Sequence, residues 1–126
     1  MANATATATQ PHVLSATSLM GDDVYSPQGE KLGDIKELMI DLDHGRVAYA
    51  VLSFGGFLGL GEKLFALPFS SLTLQPEKKH FVLDVPKERL EKAPGFDKDN
   101  WPTISDRVWG AEIHSYYGVS PYWDVR

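Results

Sequence analysis

Residues 46–54 read RVAYAVLSF, a segment in which almost every residue is apolar or has a high β-propensity. An apolar run of this length predicts a central strand whose two faces are both buried. The preceding residues 43–46, DHGR, contain Asp and Gly, which favour a tight turn. Residues 31–42 lie before that turn and are apolar at alternate positions near their end. We therefore expect two strands joined by a turn at the centre of the fold.

Further strands are expected on both sides of this pair. Short apolar segments bounded by Pro, Gly or charged turns predict them at residues 23–25, 62–68, 72–75 and 80–84. Five or six short strands with no long helix among them are typical of a small barrel, whose closure removes exposed sheet edges. The sequence therefore predicts a mainly β protein built on a small antiparallel β-barrel.

The strand before the DHGR turn has two parts with different phase. Leu38, Ile40 and Leu42 recur at every second position, so they are expected on one buried face. Leu32 and Ile35, earlier in the strand, fall out of phase by one residue. A β-bulge beside the glycine that separates Leu32 from Ile35 would restore the register.

The chain divides by composition into three parts. These are a tail at residues 1–12, expected to be disordered, a barrel at residues 13–92 and an extension at residues 93–126. The segment PKERLEKAP, where the barrel ends, predicts a short helix. Residues 96–126 hold 7 of the 14 aromatic residues of the chain. Such an aromatic extension is expected to pack on the barrel or on a partner chain, because its rings are unfavourable in water.

A second helix is predicted inside this extension, from Asp106 to about Tyr117. Ser105 is expected to be its N-cap, and Gly118 lies just past its end. Its apolar residues recur at i, i+4, i+7 and i+8, which places them on one helix face. These residues and a later tryptophan are the interface candidates of the extension: Trp109, Ile113, Tyr116, Tyr117 and Trp123.

Charge and composition exclude several classes of function. The net charge is −5, and the twelve Lys and Arg residues are scattered along the sequence. Nucleic-acid binding usually needs a basic face, so direct binding of DNA or RNA is not expected. The absence of cysteine excludes disulfides and thiolate metal sites. No apolar run approaches the roughly 20 residues that span a bilayer, and no signal peptide is recognisable. We therefore expect a cytoplasmic protein without membrane insertion.

The glycine-rich stretch GGFLGLGEK, residues 55–63, separates the central strand from the next one. It is not a phosphate-binding loop, because Glu62 occupies the position of the required Lys and no hydroxyl residue follows. The glycines are therefore expected to allow tight backbone bends. Phe57, Leu58 and Leu60 either close one end of the barrel or project into a subunit interface. We favour partial exposure and a homodimer, since two-fold dimers are the commonest soluble oligomers.

The best metal candidates are Asp41, Asp43 and His44, in DLDHG. An EF-hand needs further oxygen ligands and a Glu at its twelfth position, where this chain has Leu52. A hairpin turn explains the three residues better. The four histidines are widely spaced and no nucleophile elbow is present, so neither catalytic residues nor a cofactor are expected. Glu37, Asp41 and Glu62 have two interpretations. They are either paired carboxylates or charged residues on the solvated faces of strands.

Taken in order, several segments resemble the PRC-barrel family. They are VYSPQGEKLGDI, IDLDHGRVAYAVL and FGGFLGLGEKLFALPF, the last leading to LDVP. This family includes the small β-barrel of the photosynthetic reaction centre H subunit and that of a ribosome maturation factor. The resemblance covers about residues 14–92, and the aromatic C-terminal part is similar to that of free-standing bacterial members. It implies a non-enzymatic module that docks onto other macromolecules through its barrel surface.

Three functional hypotheses follow. The first is an interaction module that self-associates and binds an unknown protein partner within a larger assembly. By resemblance, that assembly is photosynthetic, electron-transferring or ribosome-associated. The alternative is a small-molecule or metal-binding domain with weak hydrolytic activity. The third, RNA binding, is disfavoured by the acidic charge balance.

Overall fold

The computed structural model describes residues 13–55, 62–75 and 77–124 of the chain. The strands are β1 (Asp23–Tyr25), β2 (Lys31–Asp41), β3 (Arg46–Gly55), β4 (Glu62–Pro68), β5 (Leu72–Gln75) and β6 (His80–Leu83). The α-helices are α1 (Ala16–Leu19), α2 (Lys87–Glu91) and α3 (Arg107–Tyr117), and short 3₁₀ turns cover Phe69–Ser71 and Tyr122–Asp124. The predicted tail at residues 1–12 and the predicted interface residues Phe57, Leu58 and Leu60 lie outside the described residues.

The six strands form one sheet in the order β4-β3-β2-β1-β6-β5, which curls into a half-barrel. Four of the five neighbouring pairs are antiparallel, and β1 runs parallel to β6. Strands that follow one another through a short turn must be antiparallel, whereas β1 and β6 are far apart in the chain and no turn fixes their direction. The predicted mainly β architecture with a short helix after the barrel is confirmed.

β3 is the central strand that the sequence predicts. It pairs with β2 along one edge and with β4 along the other. Residues 48–52 are all buried, so the strand is covered on both of its faces. Burial of these apolar side chains away from water supplies a large part of the driving force for folding. The continuous apolar run of RVAYAVLSF reflects this position in the middle of the sheet.

Two bulges in β2 bring its apolar residues into the core. Leu32 is an extra residue relative to β1, and Lys36 is an extra residue relative to β3. Leu32 and Ile35 are both buried, although their spacing is not that of a regular strand. A Cβ atom on Gly33 would lie 2.0 Å from the carbonyl oxygen of Ser53. Only glycine therefore allows the bulged part of β2 to approach β3 this closely.

The end of β2 differs from the sequence-based expectation. Ile40 is 48% exposed and Leu42 is 87% exposed, so the prediction of a buried face is wrong for these two residues. The register between β2 and β3 shifts between Met39 and Ile40, where β3 contains the extra residue Ala48. Leu42 lies in the turn beyond the strand. The alternation is therefore interrupted, and two large apolar side chains reach the surface.

The chain after β6 folds back along β4. Leu90 of α2 is fully buried in the core. Phe96 and Leu64 exchange two backbone hydrogen bonds of 2.8 Å each, which attaches the C-terminal segment to the outer edge of β4. α3 then packs against β4. The aromatic extension thus lies on its own barrel, and this arrangement positions the candidate surface described below.

The ends of α3 are fixed by one acidic residue and one glycine. Asp106 is the N-cap, and its carboxylate accepts a 2.8 Å hydrogen bond from the backbone N–H of Val108. The prediction of Ser105 as N-cap is therefore wrong. Ser and Asp are equally good caps, and sequence alone does not choose between two that are adjacent. Gly118 ends the helix as predicted, in the left-handed conformation with a φ of 71°.

Candidate interaction surface

Tyr49 of β3 is the centre of an aromatic cluster between the sheet and the C-terminal segment. Its buried ring lies 5.4 Å from the ring of Trp109, 5.4 Å from that of His114 and 5.6 Å from that of Tyr122. α3 approaches this ring closely because Gly110 has no side chain, and a Cβ atom there would lie 2.8 Å from Tyr49 Oη. The aromatic cluster comprises Tyr49, Trp109, His114, Tyr122 and Trp123.

The interface residues predicted in the extension are largely engaged within the chain. Ile113 and Tyr117 are buried and belong to the hydrophobic core. Trp109 and Trp123 are half-buried in the aromatic cluster, and Tyr116 is half-buried against α2. Only parts of the last three side chains are accessible, so this face presents a small apolar area to a partner.

His114 is a buried polar residue that the sequence-based reasoning did not single out. Only 1% of its surface is exposed. Its Nδ1 lies 2.7 Å from the carbonyl oxygen of Gly110, and its Nε2 lies 3.2 Å from the backbone nitrogen of Tyr122. Since the carbonyl only accepts and the N–H only donates, the ring must be the neutral tautomer protonated on Nδ1. Gly110, His114 and Tyr117 recur at i, i+4 and i+7, so they lie on one face of the helix. This spacing is the feature of the sequence that could have predicted the burial of His114.

The metal candidates form the turn between β2 and β3. Asp41 Oδ1 accepts a hydrogen bond from the backbone N–H of Asp43 at 3.2 Å, and Asp41 Oδ2 accepts one from Arg46 Nε at 2.9 Å. His44 Nδ1 lies 3.3 Å from the same Oδ2 atom. Burial by itself would raise the pKa of Asp41, but the hydrogen bonds from Arg46 and Asp43 hold that pKa below its ordinary value. Both carboxylate oxygens therefore already serve the hairpin.

The paired-carboxylate hypothesis finds little support in the geometry. Glu37 is exposed on β2, and Asp41 is bonded to Arg46. The side chain of Glu62 lies outside the described part of the structure. Among the described residues there is no group of three or more His, Asp or Glu side chains that could hold a metal ion.

An apolar groove on the half-barrel is a surface feature that the sequence did not reveal. Its volume is about 330 Å³. The residues that line this apolar groove are Leu14, Leu19, Val47, Phe69, Leu72, Leu74 and Phe81. They come from four separate stretches of the chain, residues 14–19, 47, 69–74 and 81, so no local pattern predicts that they meet. Leu14 at its rim is 50% exposed.

The apolar groove continues on two sides. Ile40 is the ladder partner of Val47, and paired residues of neighbouring strands project to the same side of a sheet. The exposed side chain of Ile40 therefore extends the apolar surface along β2. On the other side, a hollow of about 160 Å³ shares Val47 and Phe69 with the groove and is bounded by Arg46 and Tyr122. Tyr122 thus belongs to the aromatic cluster and also lines this hollow.

A family model of the PRC-barrel domain matches residues 11–90, which is more than half of the chain. The chain belongs to the PRC-barrel family. The resemblance inferred from the sequence over residues 14–92 is thereby confirmed. No curated protein is similar enough to this PRC-barrel protein to count as a match.

Membership of the family indicates a small protein-interaction module. The family match ends within α2, so α3 and most of the aromatic cluster lie beyond the PRC-barrel domain. Tyr49 is the member of the cluster that the PRC-barrel itself provides. In the described part of this PRC-barrel protein, no helix has the length and apolar character needed to cross a membrane.

Proposed function

We propose that this PRC-barrel protein is a non-enzymatic interaction module that self-associates through the apolar groove and docks onto a larger protein assembly. The groove carries the proposal, because apolar side chains from separate segments converge on a surface that the described chain leaves partly open. Apolar patches of this kind commonly mark contact sites for other proteins. Family resemblance suggests a photosynthetic, electron-transfer or ribosome-associated assembly.

A second copy of the chain is the occupant that we propose for the groove. Leu14 and Ile40 project from its rim and are about half exposed, so each is able to enter the groove of a partner. Burying one large apolar side chain yields roughly 1.5–3 kcal/mol. A two-fold axis applies every contact twice, which doubles this gain and closes the assembly at two subunits.

Two other surfaces compete with the groove as the dimer interface. One is the glycine-rich turn with Phe57, Leu58 and Leu60, which lies outside the described residues. The other is the accessible part of Trp109, Tyr116 and Trp123 in the extension. The experiment on self-association therefore needs variants that distinguish these surfaces.

Size-exclusion chromatography with light scattering, over a range of concentrations, tests the proposal. We expect a dimer for the parent protein and a shift to monomer for Leu14→Asp, because a carboxylate in the groove would be desolvated on association. Val108→Asp is the matched control, since Val108 is 74% exposed on α3 and does not line the groove. It should remain dimeric.

The other outcomes are equally informative. If Leu14→Asp is as dimeric as the parent, the groove is not the interface. Loss of the dimer only in the Phe57→Asp, Leu58→Asp double variant would assign the interface to the glycine-rich turn. A parent protein that is monomeric at every concentration would reject self-association altogether.

Small-molecule binding is the second candidate function, and a cleft between β2, β3 and α2 favours it. The cleft has a volume of about 490 Å³. Charged residues of both signs line it: Lys31, Asp34, Lys87 and Glu91. A ligand that binds the folded protein raises its melting temperature. No change in melting temperature with metals, nucleotides or common metabolites would count against this function.

A further inference from the structure

The segment after α3 is hydrogen-bonded to one residue of that helix, His114. Val119 donates a backbone hydrogen bond of 3.1 Å to the carbonyl of His114. Tyr122 then donates its backbone N–H to Nε2 of the same residue at 3.2 Å. The remaining bond within this segment joins Asp124 to Pro121 and does not reach the barrel. Between residues 120 and 124, the Tyr122–His114 bond is therefore the polar contact among the described residues that ties the segment to α3.

The surroundings of the His114 ring are suited to its neutral form. β3 contributes the Tyr49 ring, with its phenol protonated because burial raises the pKa of that group. The C-terminal 3₁₀ turn contributes the rings of Tyr122 and Trp123 at 5.8 and 5.6 Å, followed by the exposed Asp124. Among the described residues of this shell, none places a negative charge in contact with the imidazole.

Two cationic side chains stack on the rings that surround His114. The guanidinium of Arg46 on β3 lies 5.6 Å from the centroid of the Tyr122 ring. The guanidinium of Arg107 on α3 lies 5.2 Å from the centroid of the Trp123 ring. An imidazolium formed at His114 would therefore be buried, with no carboxylate among the described residues bonded to its ring. Arg107 and Arg46, the latter paired with Asp41, lie beyond the neighbouring rings and offer it no counter-charge. Such a charge is costly unless the surrounding structure opens to water.

Protonation would also remove the bond that holds the segment. Nε2 accepts the N–H of Tyr122 only while its lone pair is free. A proton on Nε2 turns the acceptor into a donor that faces another donor. We propose that His114 is a pH-sensitive latch, and that a second proton on its ring releases residues 120–124 from Tyr49 and so removes Tyr122 from the wall of the hollow that adjoins the apolar groove.

The direction of the effect follows from linkage. Burial lowers the pKa of His114 below its ordinary value of 6.5, and the hydrogen bond to Gly110 opposes this only in part. The docked segment is therefore fully favoured above about pH 6.5 and loses its advantage as the pH falls from there through the lowered pKa. Each pH unit in this window shifts the ratio of docked to released segment by up to tenfold. The inference stands on this geometry and does not require the groove to be a dimer interface.

Two-dimensional NMR of the parent protein from about pH 7.5 to about pH 5 tests the latch. The amide of Tyr122 and the indole N–H of Trp123 should shift together, with the same midpoint as the ring nitrogens of His114. The indole of Trp101 is an internal reference, because its ring packs on Phe96 outside the aromatic cluster. At neutral pH, ring-nitrogen shifts should show the Nδ1-protonated tautomer.

Two variants separate the latch from general acid sensitivity. His114→Gln keeps a donor and an acceptor but cannot take up a proton, so its Tyr122 and Trp123 signals should not titrate in this range. His44→Gln is the matched control, because the side chain of His44 is 65% exposed and lies in the β2–β3 turn. It should titrate like the parent.

Two results would overturn the proposal. One is a parent protein whose Tyr122 and Trp123 signals do not change until the core signals of β3 change with them, since the event is then global unfolding. The other is a transition that persists in His114→Gln or disappears in His44→Gln. Should His114→Gln fail to fold, the tautomer and midpoint measured on the parent still decide the question.

Discussion

Arg89 and Tyr116 each donate a hydrogen bond to the backbone carbonyl of the other. Arg89 Nη2 lies 2.6 Å from the carbonyl oxygen of Tyr116, and Tyr116 Oη lies 2.5 Å from that of Arg89. The guanidinium carbon is 4.3 Å from the centre of the tyrosine ring, so the two side chains also stack. This pair joins α2 to α3, and it therefore fastens the aromatic extension to the PRC-barrel domain.

Replacing Tyr116 by Phe should weaken this fastening without disturbing the stacking. The variant loses one hydrogen bond at a partly exposed site, and we expect the free energy of unfolding to fall by about 1 kcal/mol. Arg89→Ala removes the other hydrogen bond and the stacking, so its effect should be larger. Urea denaturation measures both. If Tyr116→Phe is as stable as the parent, the hydrogen bond from the hydroxyl to the carbonyl of Arg89 is no more favourable than a hydrogen bond from the hydroxyl to water.

Replacing Gly110 by Ala should destabilise the protein, although Ala is favoured over Gly in a helix by about 1 kcal/mol. The new Cβ atom would lie 2.8 Å from Tyr49 Oη and 3.0 Å from the ring of Trp123. Overpacking of this kind typically costs about 1–3 kcal/mol, so we expect a net loss in the urea-derived free energy of unfolding.

Ser115→Ala is the matched control for this substitution, since residue 115 is exposed on the same helix. It should be neutral or stabilise the protein by a few tenths of a kcal/mol, roughly the difference in helix propensity. If Gly110→Ala is as stable as the parent, the contact between α3 and Tyr49 is looser than the structure shows.

Removing the hydroxyl of Tyr49 should not destabilise the protein. Tyr49 Oη is buried and has no hydrogen-bond partner among the described residues. An unpaired buried polar group is unfavourable, so Tyr49→Phe should be neutral or stabilise by up to about 1 kcal/mol. Tyr117→Phe is a second test of the same idea, because Tyr117 Oη is also buried and unpaired within the described chain. A clear loss of stability in thermal unfolding would reveal a partner such as a buried water.

The pKa of the Asp41 carboxylate should depend on the contacts that Asp41 makes within the β2–β3 turn. Its pKa is held below the ordinary value of 3.8, so its ionised form stabilises the fold above that pH and this contribution is lost as the pH falls through the lowered pKa. Arg46→Gln should move the pKa of Asp41 upward in a carbon-detected NMR titration. His44→Gln should move it less, because His44 makes a longer and more exposed contact. The opposite order would show that His44 is the main partner.

Local patterns predicted the parts of this fold that depend on neighbouring residues. The apolar run at residues 46–54 gives a central strand because strand burial shows directly in composition. Gly118 ends α3 because glycine adopts the left-handed conformation there without the steric cost that a side chain would add. The ordered set of segments also identified the family.

Features that depend on distant parts of the chain were not predictable in this way. Ile40 and Leu42 alternate like buried residues, but an extra residue in the partner strand shifts the register at Ile40, and Leu42 lies in the turn beyond the strand. His114 sits at a helix position whose environment is set by Tyr49, which lies far away in sequence. The apolar groove is formed by segments that meet only after the sheet has curled. None of these three features can be recognised before the tertiary structure is known.

The two hydrogen bonds between Phe96 and Leu64 also limit how many copies could join edge to edge. Leu64 lies on the outer strand at one end of the sheet, and its backbone donor and acceptor are already occupied. The strand at the other end, β5, pairs with β6 alone among the described residues. Strand addition is therefore hindered at Leu64 on the β4 edge and is easier at the β5 edge. If two molecules pair through their β5 strands, growth by strand addition at that edge stops at a pair.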